Sequence, residues 1–387
     1  MRYQSYLNTA SVIINAYDGS VPLGVYLKKF FAAEKKYGSQ DRKQIGSLCY
    51  NYFRLGKALQ DIPVDEKILV AVFLCSRSFS EFLHFHRPAW NEEISSPLEK
   101  KLSVIPYPLS IAGIFPWANE LSTGIDATEY AKSFLQQPDL FLRIRPGRQE
   151  RVISKLQNAS LRFEVTGNDC IAMPNASKID EVLEIDKEVV VQDMNSQQVL
   201  HYLKEKRSPS GHTSCWDCCA ASGGKSILAY DVLEGKIDLT VSDIRQTILN
   251  NLAKRFRQAG INNYHSYVID LAVSNDQRSA TNYQLILCDA PCTGSGTWGR
   301  TPEQLYHFNL SAIDEYAARQ KKIVSNSIAQ LQQGGLFFYI TCSVFKKENE
   351  EVADHIKEDF HLQLLQMEVL KGYDKKADSM FVAVFRK

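Results

Sequence analysis

Long apolar runs are missing from this sequence. The longest uninterrupted one, Ile68 to Cys75, has eight residues, against the roughly 20 that a membrane helix needs. A helical membrane span is therefore excluded, and no membrane partner is expected. The start, "MRYQSYLNTASVIINAYDG", lacks a basic segment followed by an apolar one, so no export signal is read and a cytoplasmic location is expected. Excess charge of one sign is missing too. The 45 basic and 44 acidic residues leave a net charge of +1, which gives no global attraction to nucleic acid and confines any such role to local patches. No internal repeat or low-complexity tract is present. What remains is ordinary for a folded protein, with 44% hydrophobic and 23% charged residues, and 387 residues suffice for two or three domains. The nine cysteines, an odd number without an export signal, point to reduced thiols rather than a disulfide framework. A monomer is expected.

Residues 1–125 show helical spacing of apolar residues, as in "LGVYLKKFFAAEKKY" and "DEKILVAVFLCSRSFSEFLHFH", broken at Pro22, Pro63, Pro88, Pro106 and Pro108. This predicts an all-helical domain. Residues 126–205 carry shorter segments, "LRFEVTGNDCIAM" and "EVVVQDMNSQQVLHYL" among them, and predict a linker with a small α+β subdomain. From residue 206 to 387 apolar strands alternate with amphipathic helices: "SCWDCCA", "DLTVSDI", "SYVIDLA", "YQLILCDAP" and "GLFFYITCS". That alternation predicts an α/β, Rossmann-like domain with a mostly parallel sheet and right-handed crossovers. The tail segments "FHLQLLQMEVL" and "SMFVAVFRK" predict an antiparallel hairpin at the sheet edge. Two stretches are locally basic. One is Lys35 to Lys57; the other, Phe141 to Lys155, carries Arg143, Arg145 and Arg148. Either is compatible with a solvated helix face or with phosphate binding.

The strand "SCWDCCA" runs into Cys219, Ala220, Ala221, Ser222, Gly223, Gly224 and Lys225. Such a turn before a helix brings backbone close to a ligand. A phosphate-binding loop would need glycine where Cys219 stands. A zinc pair could be read from Cys215 and Cys218, but no second pair follows at finger spacing, and no metal is expected. The third reading is a nucleoside cofactor loop. Asp243 closes the second strand about 20 residues after the glycines, where doubly wound folds place an acid on ribose hydroxyls. Asp270 and Asp289 are read as ending the next two strands. Three acids at successive strand ends without a phosphate cradle fit S-adenosylmethionine better than a dinucleotide or ATP.

Beyond Asp289 lies Cys292, and beyond the following strand lies Cys342, so two thiols should face one pocket. Free cysteines are commonly small buried hydrophobes, yet these two follow strand ends beside polar residues. A thiolate can add to C6 of a pyrimidine and make C5 carbanion-like, able to attack a sulfonium methyl group. Release then requires loss of the C5 proton and elimination of the thiol, so a second group beside the first is chemically sensible. The residues alone leave open which cysteine attacks.

The motifs "CAASGGK", "DAPCTGSGT" and "TCSVFKKENEEV" resemble those of the Sun (Fmu) type RNA cytosine-5 methyltransferases. "VQDMNSQQV" is similar to the segment before that family's first strand, and "FLRIRPGR" to its Leu-Arg-x-Asn motif. "YGSQDRKQIGSLCYNYFR" is similar to the NusB-like helical domain that bacterial members carry in front. The resemblance implies that Cys342 is the nucleophile, Cys292 assists product release, Asp289 lies against the cytosine, and Lys225 reaches the same pocket. It implies a cofactor, S-adenosylmethionine, held by Cys219 to Lys225, Asp243, Asp270 and Asp289, and an RNA partner, with ribosomal RNA favoured over transfer RNA by the front domain. The helical domain and the Arg143, Arg145, Arg148 stretch are the expected RNA-binding face. The departure is Ser222, where the family usually has proline, which loosens the loop. A DNA cytosine-5 enzyme would carry a large recognition domain after its core. An amino-group methyltransferase would want an aromatic residue where Cys292 stands. A non-catalytic RNA-binding factor on the same fold is disfavoured by the presence of both cysteines and all three acids.

Overall fold

A computed structural model describes residues 2–205, 211–273 and 282–387; the expected domain start at residue 206 falls outside them. The chain forms two compact units. One comprises Met1–Asn119, Asp126–Gln137 and Thr297–Leu310; the other comprises Glu120–Ile125, Pro138–Gly296 and Ser311–Lys387.

The smaller unit is helical, built on Arg2–Ala16, Leu23–Ala33, Ser39–Arg54 and Val64–Cys75. Val64–Cys75 is buried from Lys67 to Leu74, as expected of a helix apolar on all sides. Asp65 and Glu66 occupy its first turn, where carboxylates oppose the helix dipole. The unit extends beyond the predicted residues 1–125, taking in 126–137 and 297–310. Long-range polar anchors explain this. Buried Arg54 donates to the carbonyls of Phe134 and Gln136, both at 3.0 Å, and of Gly299 at 3.1 Å. Glu303 accepts from the Leu23 backbone N–H at 3.1 Å.

The larger unit contains both sheets. The small one comprises β1 (Leu140–Ile144), β2 (Glu164–Val165), β3 (Cys170–Met173) and β4 (Val189–Val191), in the order β2-β3-β1-β4, with the helix Gln149–Asn158 burying Val152 and Leu156. Its core joins Leu142, Ile144 and Ile171 to those two side chains, giving the predicted α+β subdomain.

The large sheet comprises β5 (Thr213–Asp217), β6 (Ile237–Asp243), β7 (Tyr264–Val268), β8 (Tyr283–Asp289), β9 (Leu331–Thr341), β10 (Gln363–Leu370) and β11 (Met380–Arg386), ordered β10-β11-β9-β8-β5-β6-β7. Strands β5 to β9 pair in parallel, and β11 pairs antiparallel with β9 and with β10. This is a Rossmann-like methyltransferase fold with the predicted edge hairpin. Both faces are covered, because successive residues pack into opposite cores: Cys215, Leu285, Leu287 and Phe338 into one, Trp216, Ile286, Cys288 and Phe337 into the other. Strands buried on both sides read as continuous apolar runs. The order reverses at β5, between β6 and β8, and in doubly wound sheets ligands bind at the carboxyl ends of the strands at such a point.

Candidate functional site

Asp217, Asp243 and Asp289 terminate β5, β6 and β8 at that edge. The turn after β5 follows from its small residues. Ala221 and Gly223 adopt left-handed backbone, with φ of +46° and +85°. A Cβ on Gly223 would stand 2.7 Å from the Phe256 ring, so glycine is required there. At Gly224, which opens the helix Gly224–Val232, the space is empty. Asp243 fixes the loop by accepting from the Ala221 backbone N–H at 3.1 Å. Ser222 is held as well: Arg255 donates to its carbonyl at 3.0 Å and to its hydroxyl at 3.1 Å, while gripping Asp186 through its other nitrogens. That anchor supplies rigidity that a proline at this position would otherwise give.

Asp270 lies two residues beyond the end of β7 instead of closing it, and its carboxylate accepts from the Ala272 N–H at 2.9 Å. The edge acid that sequence reasoning missed is Asp217. It is fully buried, its Oδ2 accepts from the Ser226 hydroxyl at 2.5 Å, and its Oδ1 has no hydrogen-bond partner. Its place at a strand end, like that of Asp243 and Asp289, was the available signal. Burial pushes its carboxyl up to about 7. An orphaned carboxylate oxygen beside an open glycine loop fits a ligand that carries positive charge, which S-adenosylmethionine does on both its ammonium and its sulfonium. A consequence is measurable without ligand. The unfolded chain releases this proton near pH 3.8 and the folded chain near 7, so the stability contribution of the neutral acid declines as pH rises between those values. The Asp217→Asn variant is expected to lack that decline. Its advantage over the parent in urea midpoint should widen from about pH 4.5 to about pH 8, and a pH-independent difference would refute the assignment.

The chemical half is assembled by β8 and β9. Lys225 and Asp289 form an ion pair at 2.6 Å, both largely screened from solvent. Burial opposes the charge on Lys225, but the Asp289 carboxylate outweighs it and holds the ammonium above its ordinary value. The Cys292 and Cys342 sulfurs are 3.3 Å apart. Both residues are partly exposed, whereas Cys49, Cys170, Cys215, Cys218 and Cys288 are buried. The neighbouring Cys342 thiol, followed by burial, pushes Cys292 well above the usual thiol range.

Glu348 sets this distance. It is fully buried, and it accepts from the Thr293 N–H at 2.8 Å, the Thr293 hydroxyl at 2.6 Å, Gln320 Nε2 at 3.2 Å and the Ser343 hydroxyl. It thereby ties the residue after one cysteine to the residue after the other. Gly296 completes the clasp: its N–H donates to the Cys342 carbonyl at 2.8 Å, and a Cβ there would stand 2.0 Å from the Ser379 carbonyl oxygen. Glu348 stands in the quoted "KKENEEV" run, but nothing local marks it as buried.

The three arginines expected on an RNA-binding face part company. Arg143 and Arg145 are turned inward and share one carboxylate, Asp231, at 2.7 and 2.6 Å, so neither presents its charge on the outer surface. Arg148 is exposed. Three thiols, Cys218, Cys219 and Cys288, lie within 4.8 Å of one another, a different grouping from the Cys215 and Cys218 pair weighed in the sequence. Among the described residues no helix is long and apolar enough to cross a membrane.

A family model described as 16S rRNA methyltransferase RsmB/F matches residues 206–384. The ribosomal RNA small subunit methyltransferase F of Aeromonas salmonicida is 28% identical over 144 residues, 37% of this chain and 30% of that protein. The ribosomal RNA small subunit methyltransferase B of Xylella fastidiosa is 29% identical over 229 residues, 56% of this chain and 51% of that one. The chain thus spans about a third to a half of these relatives. Among solved structures, the protein PH0851 superposes with a TM-score of 0.72 at 17% identity, covering 99% of this chain and 98% of that one, a likeness of fold.

Proposed function

We propose, starting from the match of residues 206–384 to the 16S rRNA methyltransferase RsmB/F family model, that this protein belongs to that family and transfers a methyl group to C5 of a cytosine in RNA, ribosomal RNA being the substrate. The observation that carries the reading is the pair of sulfurs 3.3 Å apart at the ends of neighbouring strands, inside a cluster that also holds the Lys225–Asp289 ion pair. The cofactor is S-adenosylmethionine, which supplies an electrophilic methyl group. The backbone from Cys219 to Lys225 would hold it, with Asp243, Asp270 and Asp289, and with Asp217 facing its positive charge.

Cys342 attacks C6 of the cytosine, and the electron pair displaced to C5 makes that carbon the nucleophile. Asp289 accepts from the exocyclic amino group or the protonated ring nitrogen, and Lys225 fixes the carboxylate for that contact. After methylation the C5 proton must leave before the C6–sulfur bond can break. Cys292 is the group within reach. The foremost cause of its raised pKa is the Cys342 thiol, which no longer exists once Cys342 is a thioether, so more of Cys292 is then in the thiolate form that can accept the proton. The base must leave its stack to meet these groups, which favours single-stranded or loop RNA. The NusB-like helices and Arg148 are assigned to holding that RNA, and the chain acts as a monomer in the cytoplasm.

The reading is tested with labelled S-adenosylmethionine and RNA from cells lacking the gene, followed by bisulfite sequencing. Label is expected in ribosomal RNA at a cytosine that resists conversion, and 5-azacytidine RNA is expected to trap a covalent adduct. No transfer and no adduct would favour a non-catalytic RNA-binding factor; label in transfer RNA alone would move the substrate.

A further inference from the structure

In the larger unit, a cavity of about 330 Å³ is lined by Arg143, Asn168, Asp169, Gln197, His201 and Lys204, among others. It belongs to none of the machinery described above, and it is where the inward-turned Arg143 leads. That guanidinium is almost wholly buried, at 4% exposure. Its Nε donates to Gln192 Oε1 at 2.9 Å and its Nη1 to Asp231 at 2.7 Å, yet its Nη2 is buried with no hydrogen-bond partner. A buried donor on a cation is rarely left unpaired, because its desolvation then goes uncompensated.

The charge count makes the same point independently. Two guanidinium groups share the single carboxylate of Asp231, with Arg145 contributing Nε at 3.2 Å and Nη2 at 2.6 Å. One buried positive charge is therefore left over, and desolvation holds Arg143 below its ordinary value. Asp169 at the rim is exposed, where solvent and salt screen it. Lys204, also exposed, adds positive charge at the mouth, while His201 pairs with Glu205 at 3.1 Å. A tetrahedral oxyanion satisfies both deficits at once, since it accepts from the spare Nη2 and neutralises the excess charge.

We propose that this cavity binds a phosphate group of the RNA substrate, with Arg143 Nη2 as the buried donor and Lys204 as the charge that guides the phosphate in. The proposal rests on the reading of the protein as an RNA methyltransferase and places a backbone-positioning contact in a cavity whose lining includes neither Cys292 nor Cys342. Such a contact contributes affinity and register but no base recognition.

The test uses the full chain and an RNA that it methylates. For Lys204→Ala, the slope of log affinity against log salt is expected to fall by about 0.7, the increment of one phosphate contact on a single strand. KM should rise several-fold with kcat unchanged. Lys204→Glu should exaggerate both effects. An unchanged slope and KM in both variants, with methylation intact, would overturn the proposal and leave the enzyme reading standing. Inorganic phosphate provides the second arm: it should raise the melting temperature of the parent and of Lys204→Ala, the latter less, but not that of Arg143→Gln at matched ionic strength. Phosphate stabilisation in a protein that transfers no methyl group would retain the anion site and remove the RNA reading. Equal stabilisation of all three proteins would remove the site.

Discussion

Replacing Cys342 with alanine is expected to abolish methyl transfer and to leave no covalent protein–RNA species, either with the natural substrate or with 5-azacytidine RNA. The variant loses the atom assigned to bonding with C6, so C5 never becomes nucleophilic and the methyl group has nothing to attack it. A fall in turnover of about 10⁴-fold or more is expected for loss of a covalent nucleophile. The fold should survive. Cys342 follows the last residue of β9 and is partly exposed, and the bonds that hold its loop, from Asn349 Nδ2 to the Ser343 carbonyl at 2.9 Å and from Gly296 N–H to the Cys342 carbonyl at 2.8 Å, involve no sulfur. An unchanged melting temperature and unchanged RNA affinity would separate lost chemistry from lost structure. Only 3.3 Å separates the two sulfurs, so the alternative nucleophile is close by. A Cys342→Ala protein that still forms an adduct would transfer the role to Cys292.

The strands β6 and β8 and the second half of β9 were legible in the sequence because each is a short apolar run ended by a polar residue, and burial imposes that pattern directly; β7, Tyr264–Val268, is largely exposed and stops before the Asp270 that was read as its end. The hairpin β10–β11 was legible for a similar reason. Local sequence was silent where partners lie far apart along the chain. Arg143 and Asp231 are separated by 88 positions, and from "FLRIRPGR" alone a buried arginine pair looks the same as a basic surface. Likewise, nothing in residues 297–310 announces that Glu303 caps a backbone N–H of Leu23, 280 positions earlier. The site divides along the same line. Cysteines and acids placed just after strands could be found by their spacing, whereas Glu348, which clasps the two cysteine loops, becomes visible only when Thr293, Gln320 and Ser343 are seen converging on one carboxylate.

Cys292→Ala is expected to do the opposite of Cys342→Ala and accumulate the covalent species. The nucleophile is intact in this variant, so addition to C6 and methylation at C5 both proceed. The C5 proton then has no base within reach, and the C6–sulfur bond cannot break until it goes. Turnover should drop by about 10²- to 10⁴-fold, the usual contribution of a positioned proton acceptor, while a first turnover remains. A nuclease-sensitive band above the free protein should appear on a denaturing gel with unmodified RNA, and its intensity should approach one equivalent per active site. The pairing of sulfurs adds a further expectation. Cys342 is the foremost cause of the raised Cys292 pKa, so Cys342→Ala should return the Cys292 thiol toward ordinary acidity, speeding its alkylation by iodoacetamide near neutral pH. If Cys292→Ala instead gives no adduct while Cys342→Ala gives one, the two roles are exchanged. If neither variant traps RNA and both keep turning over, the thiols are not the reacting pair and Lys225 with Asp289 would have to carry the chemistry by another route.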